Sequence, residues 1–140
     1  MNDSIKTITK NFDDNDFTQF FESYIAAALW SSVSDDDDGI TDEHDADDID
    51  KKTLQYLVCV AYKFYRDTKC YIESEPEPPT CSNGSGPYAM AGHDFWLTSA
   101  GHGAGFWDGD WPKYGSLLTK CSEGSGEITL YVGGDGKIYF

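Results

Sequence analysis

GHDFWLTSAGHGAGFWDGDW, Gly92 to Trp111, decides how the C-terminal half of the chain is read. HDFWLTSA reads as a strand, AGHGAG as a glycine-rich turn, and GFWDGDW as the returning strand. Alternation along such a strand sends Phe95 and Trp96 to opposite faces. One face is core. The other either packs under the N-terminal helices or stays exposed as an aromatic contact patch, with Trp96, Trp107 and Trp111 as its candidate contacts.

Working outward toward the C-terminus, Pro112 fits the first turn of a helix running to about Ser122, with Gly124 ending it. EITLYVG then alternates Ile128, Leu130 and Val132 against Thr129 and Tyr131. Gly133 to Gly136 make a turn, and KIYF returns. Toward the N-terminus, ESEPEPPTCSNGSGP (Glu73 to Pro87) carries four of the five prolines and reads as a linker loop. Leu54, Leu57, Val58, Ala61, Tyr62, Phe64 and Tyr65 mark one apolar face of a helix from Ile49 to about Ile72. Phe17, Phe20, Phe21, Tyr24, Ile25, Ala28 and Leu29 recur at spacings of three and four, so a helix is predicted over 16–32, capped by the acids of Asp13 to Asp16. Residues 1–13 read as a polar lead-in. The predicted fold is α+β: two N-terminal helices followed by a small antiparallel sheet of two hairpins with an inserted helix. It forms one domain over 1–140, with a helical half at 13–73, an acidic loop at 34–50, a linker at 74–87 and the hairpin half at 88–140.

Charge narrows the function. The chain carries 25 acidic and 10 basic residues, a net charge of −15. Asp35, Asp36, Asp37, Asp38, Asp42, Glu43, Asp45, Asp47, Asp48 and Asp50 put ten of those acids into sixteen residues with no Lys or Arg among them. Such a run repels itself and belongs on the surface. Nucleic-acid backbones are held by Lys and Arg, so direct nucleic-acid binding is excluded as the working role, and a basic protein or a metal ion is the natural partner. The N-terminus has no signal-peptide stretch, and no apolar run approaches membrane-span length. Cys59, Cys70, Cys81 and Cys121 lack CxxC spacing and read as reduced thiols rather than zinc ligands.

The stretch from Gly92 to Trp111, the closing ITLYVGGDGKIYF (Ile128 to Phe140) and YIAAALWSS (Tyr24 to Ser32) followed by an acidic segment resemble a family of small acidic bacteriophage proteins. This chain departs from the family in its denser Asp run and in the uncharged Ser99 and Gly109. The resemblance implies a phage origin and a location in the bacterial host cytoplasm. It transfers no catalytic residue.

Three readings compete for the acidic run. It is a solvated loop; or it is a decoy whose carboxylates, spread over at most roughly 55 Å of extended chain, match the ~1.7 Å charge spacing of duplex DNA; or it is a calcium loop. In the last, Gly39 aligns with an EF-hand glycine, Asp36, Asp38 and Asp45 fall at ligand positions, and Ser34 takes the first. His93, Asp94, His102 and Asp108 would converge if the hairpin closes near Gly101. They then fix the turn by hydrogen bonds, or offer a His–carboxylate pair for acid–base chemistry or a metal. GHGAG lacks the context of a nucleophile or phosphate loop. The expectation is therefore a non-catalytic phage inhibitor without cofactor or metal. It would bind a host protein with a basic groove, of the anti-restriction or anti-CRISPR type. The alternative is a self-associating phage structural protein.

Overall fold

The computed structural model describes residues 3–31, 45–76, 87–100, 105–106 and 111–140. Five α-helices account for most of them: α1 (Asp3–Thr9), α2 (Asn15–Ser31), α3 (Lys51–Ser74), α4 (Pro87–Ser99) and α5 (Gly115–Glu123). A two-stranded antiparallel sheet, β1 (Tyr131–Val132) and β2 (Ile138–Tyr139), closes the chain.

The N-terminal lead-in is folded. Ile5, Ile8 and Phe12 recur at spacings that keep them on one helical face, and Ile5 is buried. The helix ends in a 3-10 turn, Lys10–Phe12, after which Asp13 adopts a left-handed conformation with φ 47°. Asp14 then starts α2. One of its carboxylate oxygens accepts from the N–H groups of Asp16 and Phe17 at 3.0 and 3.1 Å, and the other accepts the Tyr65 hydroxyl at 2.9 Å. A single side chain thus caps one helix and ties it to another. Asp50 caps α3 in the same way, accepting from Lys52 and Thr53 N–H.

The predicted first strand of the first hairpin is corrected: His93 to Ser99 lies in α4, and residues 101–104 and 107–110 of the proposed turn and returning strand fall outside the described residues. Helical phasing explains why. Tyr88, Ala91, Gly92, Phe95 and Trp96 form the i, i+3, i+4, i+7, i+8 series of a helix that begins at Pro87. Ala91, Gly92, Phe95 and Trp96 are all buried. Gly92 is a packing glycine rather than a turn glycine: a Cβ built there would lie 2.0 Å from the backbone oxygen of Phe20. Its missing side chain is what lets α4 lie against α2. Phe106 forms a turn whose N–H donates to Thr98 Oγ1 at 3.1 Å. The preceding Gly105 has φ 149° and no room for a Cβ against that hydroxyl.

The core joining these helices is largely aromatic. Phe64 of α3 stacks on Phe95 of α4 with centroids 3.9 Å apart, and Phe20 and Tyr24 of α2 pack on Phe95 at 6.1 and 5.3 Å. Offset and tilted ring pairs of this kind add stability beyond their buried area.

Most of the predicted 74–87 linker, residues 77–86, lies outside the described residues. The Tyr88 hydroxyl donates to Glu73, so the two ends of the 74–87 segment are held together. Glu75 is 4% exposed and accepts from the N–H groups of Lys113 and Tyr114 at 3.1 and 3.0 Å. Pro112 therefore precedes the helix instead of opening it. A carboxylate just beyond the end of α3 thus holds the turn that leads into α5.

Of the two predicted hairpins, the C-terminal one is present in reduced form. Tyr131 pairs with Tyr139 and Val132 with Ile138. Ile49 bridges Ile138 in parallel, and Asp50 N–H donates to the Ile138 carbonyl at 2.9 Å. These contacts fasten the hairpin to the start of α3. The fold is accordingly helical with a small terminal hairpin, not two helices followed by a sheet.

Candidate functional site

Of the ten acids in the run, Asp35, Asp36, Asp37, Asp38, Asp42 and Glu43 lie outside the described residues, as do Ser34 and Gly39 of the calcium alignment. The other four are engaged in the fold. Asp45 accepts from Asp47 N–H at 2.9 Å, while Asp48 accepts from Asp45 N–H at 3.0 Å, a reciprocal capping box around the 3-10 turn Ala46–Asp48. Asp47 accepts from both the hydroxyl and the N–H of Ser4, and these bonds hold its carboxyl below the usual carboxylate range. Asp50 is the α3 cap. Among the described residues, no group of three or more His, Cys, Asp or Glu is arranged to hold a metal ion. Cys59, Cys70 and Cys121 are free thiols, and Cys81 is outside the described residues.

Only His93 and Asp94 of the histidine cluster fall within the described residues. His102 and Asp108 fall outside the described residues, as does Trp107. His93 and Asp94 are neighbours on α4. Asp94 is 2% exposed, and its Oδ2 accepts from Trp111 Nε1 at 2.8 Å. Its Oδ1 lies 3.3 Å from His93 Nδ1. The buried carboxylate satisfies one indole and orients one imidazole, which is a structural anchor with a half-exposed ring attached.

Trp96 and Trp111, offered by the sequence as partner contacts, are corrected by their burial: each is 2% exposed. Trp96 Nε1 donates to Ser31 Oγ at 2.6 Å, so both indole N–H groups bond inside the protein. A helical α4 turns both faces of the former strand inward, and this takes Trp96 out of the candidate patch.

The exposed aromatics lie elsewhere. Trp30, at the end of α2, is 61% exposed and stacks on His93 with an interplanar angle of 27°. Tyr56, Tyr131 and Phe140 are also exposed, with Phe140 stacked on Tyr56 at 4.5 Å. The sequence reading passed over Trp30 because it closes an apolar helix. The available signal was phase: Trp30 falls with Glu22 and Ala26, away from the face of Phe21, Tyr24 and Ala28.

Among the described residues, no helix is long and apolar enough to cross a membrane. Comparison with protein-family models, curated proteins and solved structures finds no match.

Proposed function

We propose that this chain is an acidic binding protein of phage origin that works in the bacterial host cytoplasm, where it occupies a basic surface of a defence or nucleic-acid-handling protein. The observation that carries this reading is the concentration of ten carboxylates in residues 35–50 without a Lys or Arg. Long-range attraction from such a run speeds encounter with a cationic groove, and short-range contacts then set specificity. The reading involves neither catalysis nor a cofactor, and the chain itself does not grip nucleic acid. The described end of the run supports it: Asp45, Asp47, Asp48 and Asp50 are fixed by hydrogen bonds, so this part of the field has a defined position.

The test is capture from bacterial lysate at low and high salt, followed by association kinetics on the captured protein. Replacing Asp35, Asp36, Asp37 and Asp38 by Asn should lower the on-rate more than it raises the off-rate. An on-rate indifferent to both salt and these replacements rejects the proposal.

A second reading, self-association in a phage assembly, is favoured by the exposed Tyr56, Tyr131 and Phe140 around the terminal hairpin. Light scattering at low salt separates the two, since only the second yields a large homomeric particle.

A further inference from the structure

The charge of this chain is divided by helix as well as crowded into one run. Residues 11–50 hold fourteen acids and residues 70–112 hold six, and neither stretch contains a Lys or Arg. All ten basic residues and the other five acids lie in residues 1–10, 51–69 and 113–140. The first two stretches together carry a net charge of −20 and the remainder +5, counting His as neutral. α2 and α4 belong wholly to the acidic stretches, and they pack directly on each other.

At the solvent edge of that pair stand Trp30 of α2 and His93 of α4, with centroids 6.3 Å apart. Most of α4 is buried, and Met90 and His93, one turn apart, are among its few partly exposed positions. His93 is steadied from below by Asp94, itself locked to Trp111. A large indole exposed on a helix pair devoid of Lys and Arg, within a stretch of sequence dense in carboxylates, suits a planar cation.

We infer that Trp30 with His93 is the contact point for an arginine side chain of the basic partner, an inference that rests on the function proposed above. Arginine fits better than lysine because its guanidinium is flat, weakly hydrated and stacks on aromatic faces. A nucleobase could also stack on Trp30, but its phosphates would meet only negative charge here. A second copy of the chain would bring a further −15.

The probes are fluorescein-labelled decaarginine and decalysine, titrated against the full chain by anisotropy at two salt concentrations. Wild-type protein should bind decaarginine about two- to fivefold tighter than decalysine, the worth of an exposed cation–π contact. Trp30→Ala should abolish that preference while leaving decalysine affinity unchanged, and Trp30→Phe should keep part of it. Because Trp30 is exposed, both variants should retain the wild-type circular dichroism spectrum. The combined Asp35→Asn, Asp36→Asn, Asp37→Asn and Asp38→Asn variant should weaken both peptides equally. No arginine preference in the wild type, or a preference that survives Trp30→Ala, overturns the inference and leaves the acidic-run reading standing. Loss of preference in Trp30→Ala together with unchanged binding by the four-Asn variant does the reverse.

Discussion

Gly92→Ala is the sharpest probe of the α2–α4 contact. In an unpacked helix this change adds about 1 kcal/mol of stability, because alanine is the better helix former. Here the new Cβ would sit 2.0 Å from Phe20 O, 2.9 Å from Phe20 C and 3.2 Å from Phe20 Cα. All three are backbone atoms, so no side-chain rotation relieves the clash. The oxygen contact would have to open from 2.0 Å to the 3.4 Å at which ordinary contact begins. That movement loosens the layer in which Phe20, Tyr24 and Phe95 interlock. Overpacking of this kind costs about 3 kcal/mol when the neighbour is rigid. Net of the propensity gain, Gly92→Ala should lose about 2 kcal/mol, which for a chain of this size lowers Tm by about 7 °C. The control is Gly134→Ala, whose Cβ meets nothing within 4 Å and which should melt with the wild type. Differential scanning calorimetry on the three proteins decides the matter. A Gly92→Ala protein as stable as wild type, or more so, would mean that α4 does not press on α2 at this residue.

Three further outcomes follow from named bonds. Asp94→Ala leaves the buried Trp111 indole without its acceptor and should cost about 1–3 kcal/mol in urea unfolding, whereas Asp94→Asn keeps a carbonyl oxygen in place and should recover most of the loss. Asp50→Ala removes the α3 cap at a cost of about 1 kcal/mol, visible as faster amide exchange in the first turn of α3, while Asp50→Asn should be near wild type. The third outcome concerns pH: Ser4 lowers the pKa of Asp47 below its ordinary 3.8, chiefly through the hydroxyl bond. A lowered carboxyl pKa gives stability that is complete above 3.8 and is lost as pH falls through the folded-state value. Ser4→Ala should therefore lower Tm at neutral pH, and the gap to wild type should close on acidification; a gap that persists in acid would show that the Ser4 hydroxyl acts through something other than the Asp47 charge.

The helices that could be read from sequence were those whose apolar phase and caps agree. Phe17, Phe20, Phe21 and Tyr24 announce α2, and the acids beside them supply Asp14 as its cap. In α3, Leu54, Leu57, Val58 and Ala61 do the same beneath Asp50. α4 was misread because its most conspicuous residues mislead locally. Phe95, Trp96, Leu97 and Thr98 suit a strand, and Gly92 suggests a turn. What reverses that reading is the contact between Gly92 and Phe20, seventy-two residues apart in the chain, which no local pattern encodes. The same holds for Glu75. In sequence it sits among prolines and looks solvated, and only the fold brings it under Lys113 and Tyr114. Trp30 shows the opposite failure. It was not singled out, although its phase with Glu22 and Ala26 sets it away from the buried face of α2.

The acids of residues 35–50 are not equivalent, and this bears on how their electrostatic role can be examined. Asp45, Asp47, Asp48 and Asp50 each accept hydrogen bonds that hold the 3-10 turn, α1 and the start of α3. Truncating any of them to alanine disturbs the fold and the field together, so a binding defect there would not distinguish the two. Bonding does not discharge a carboxylate, however, and its field still reaches about 8 Å at physiological ionic strength. Asparagine separates the contributions, because at a helix N-terminus it caps about as well as aspartate. At Asp50 the Asn replacement therefore removes charge at nearly constant stability. If it also slows association with a basic protein, Asp50 acts on the partner through its potential. If it has no kinetic effect, the attraction comes from other acids of the run, and Asp50 belongs to the architecture of α3 alone.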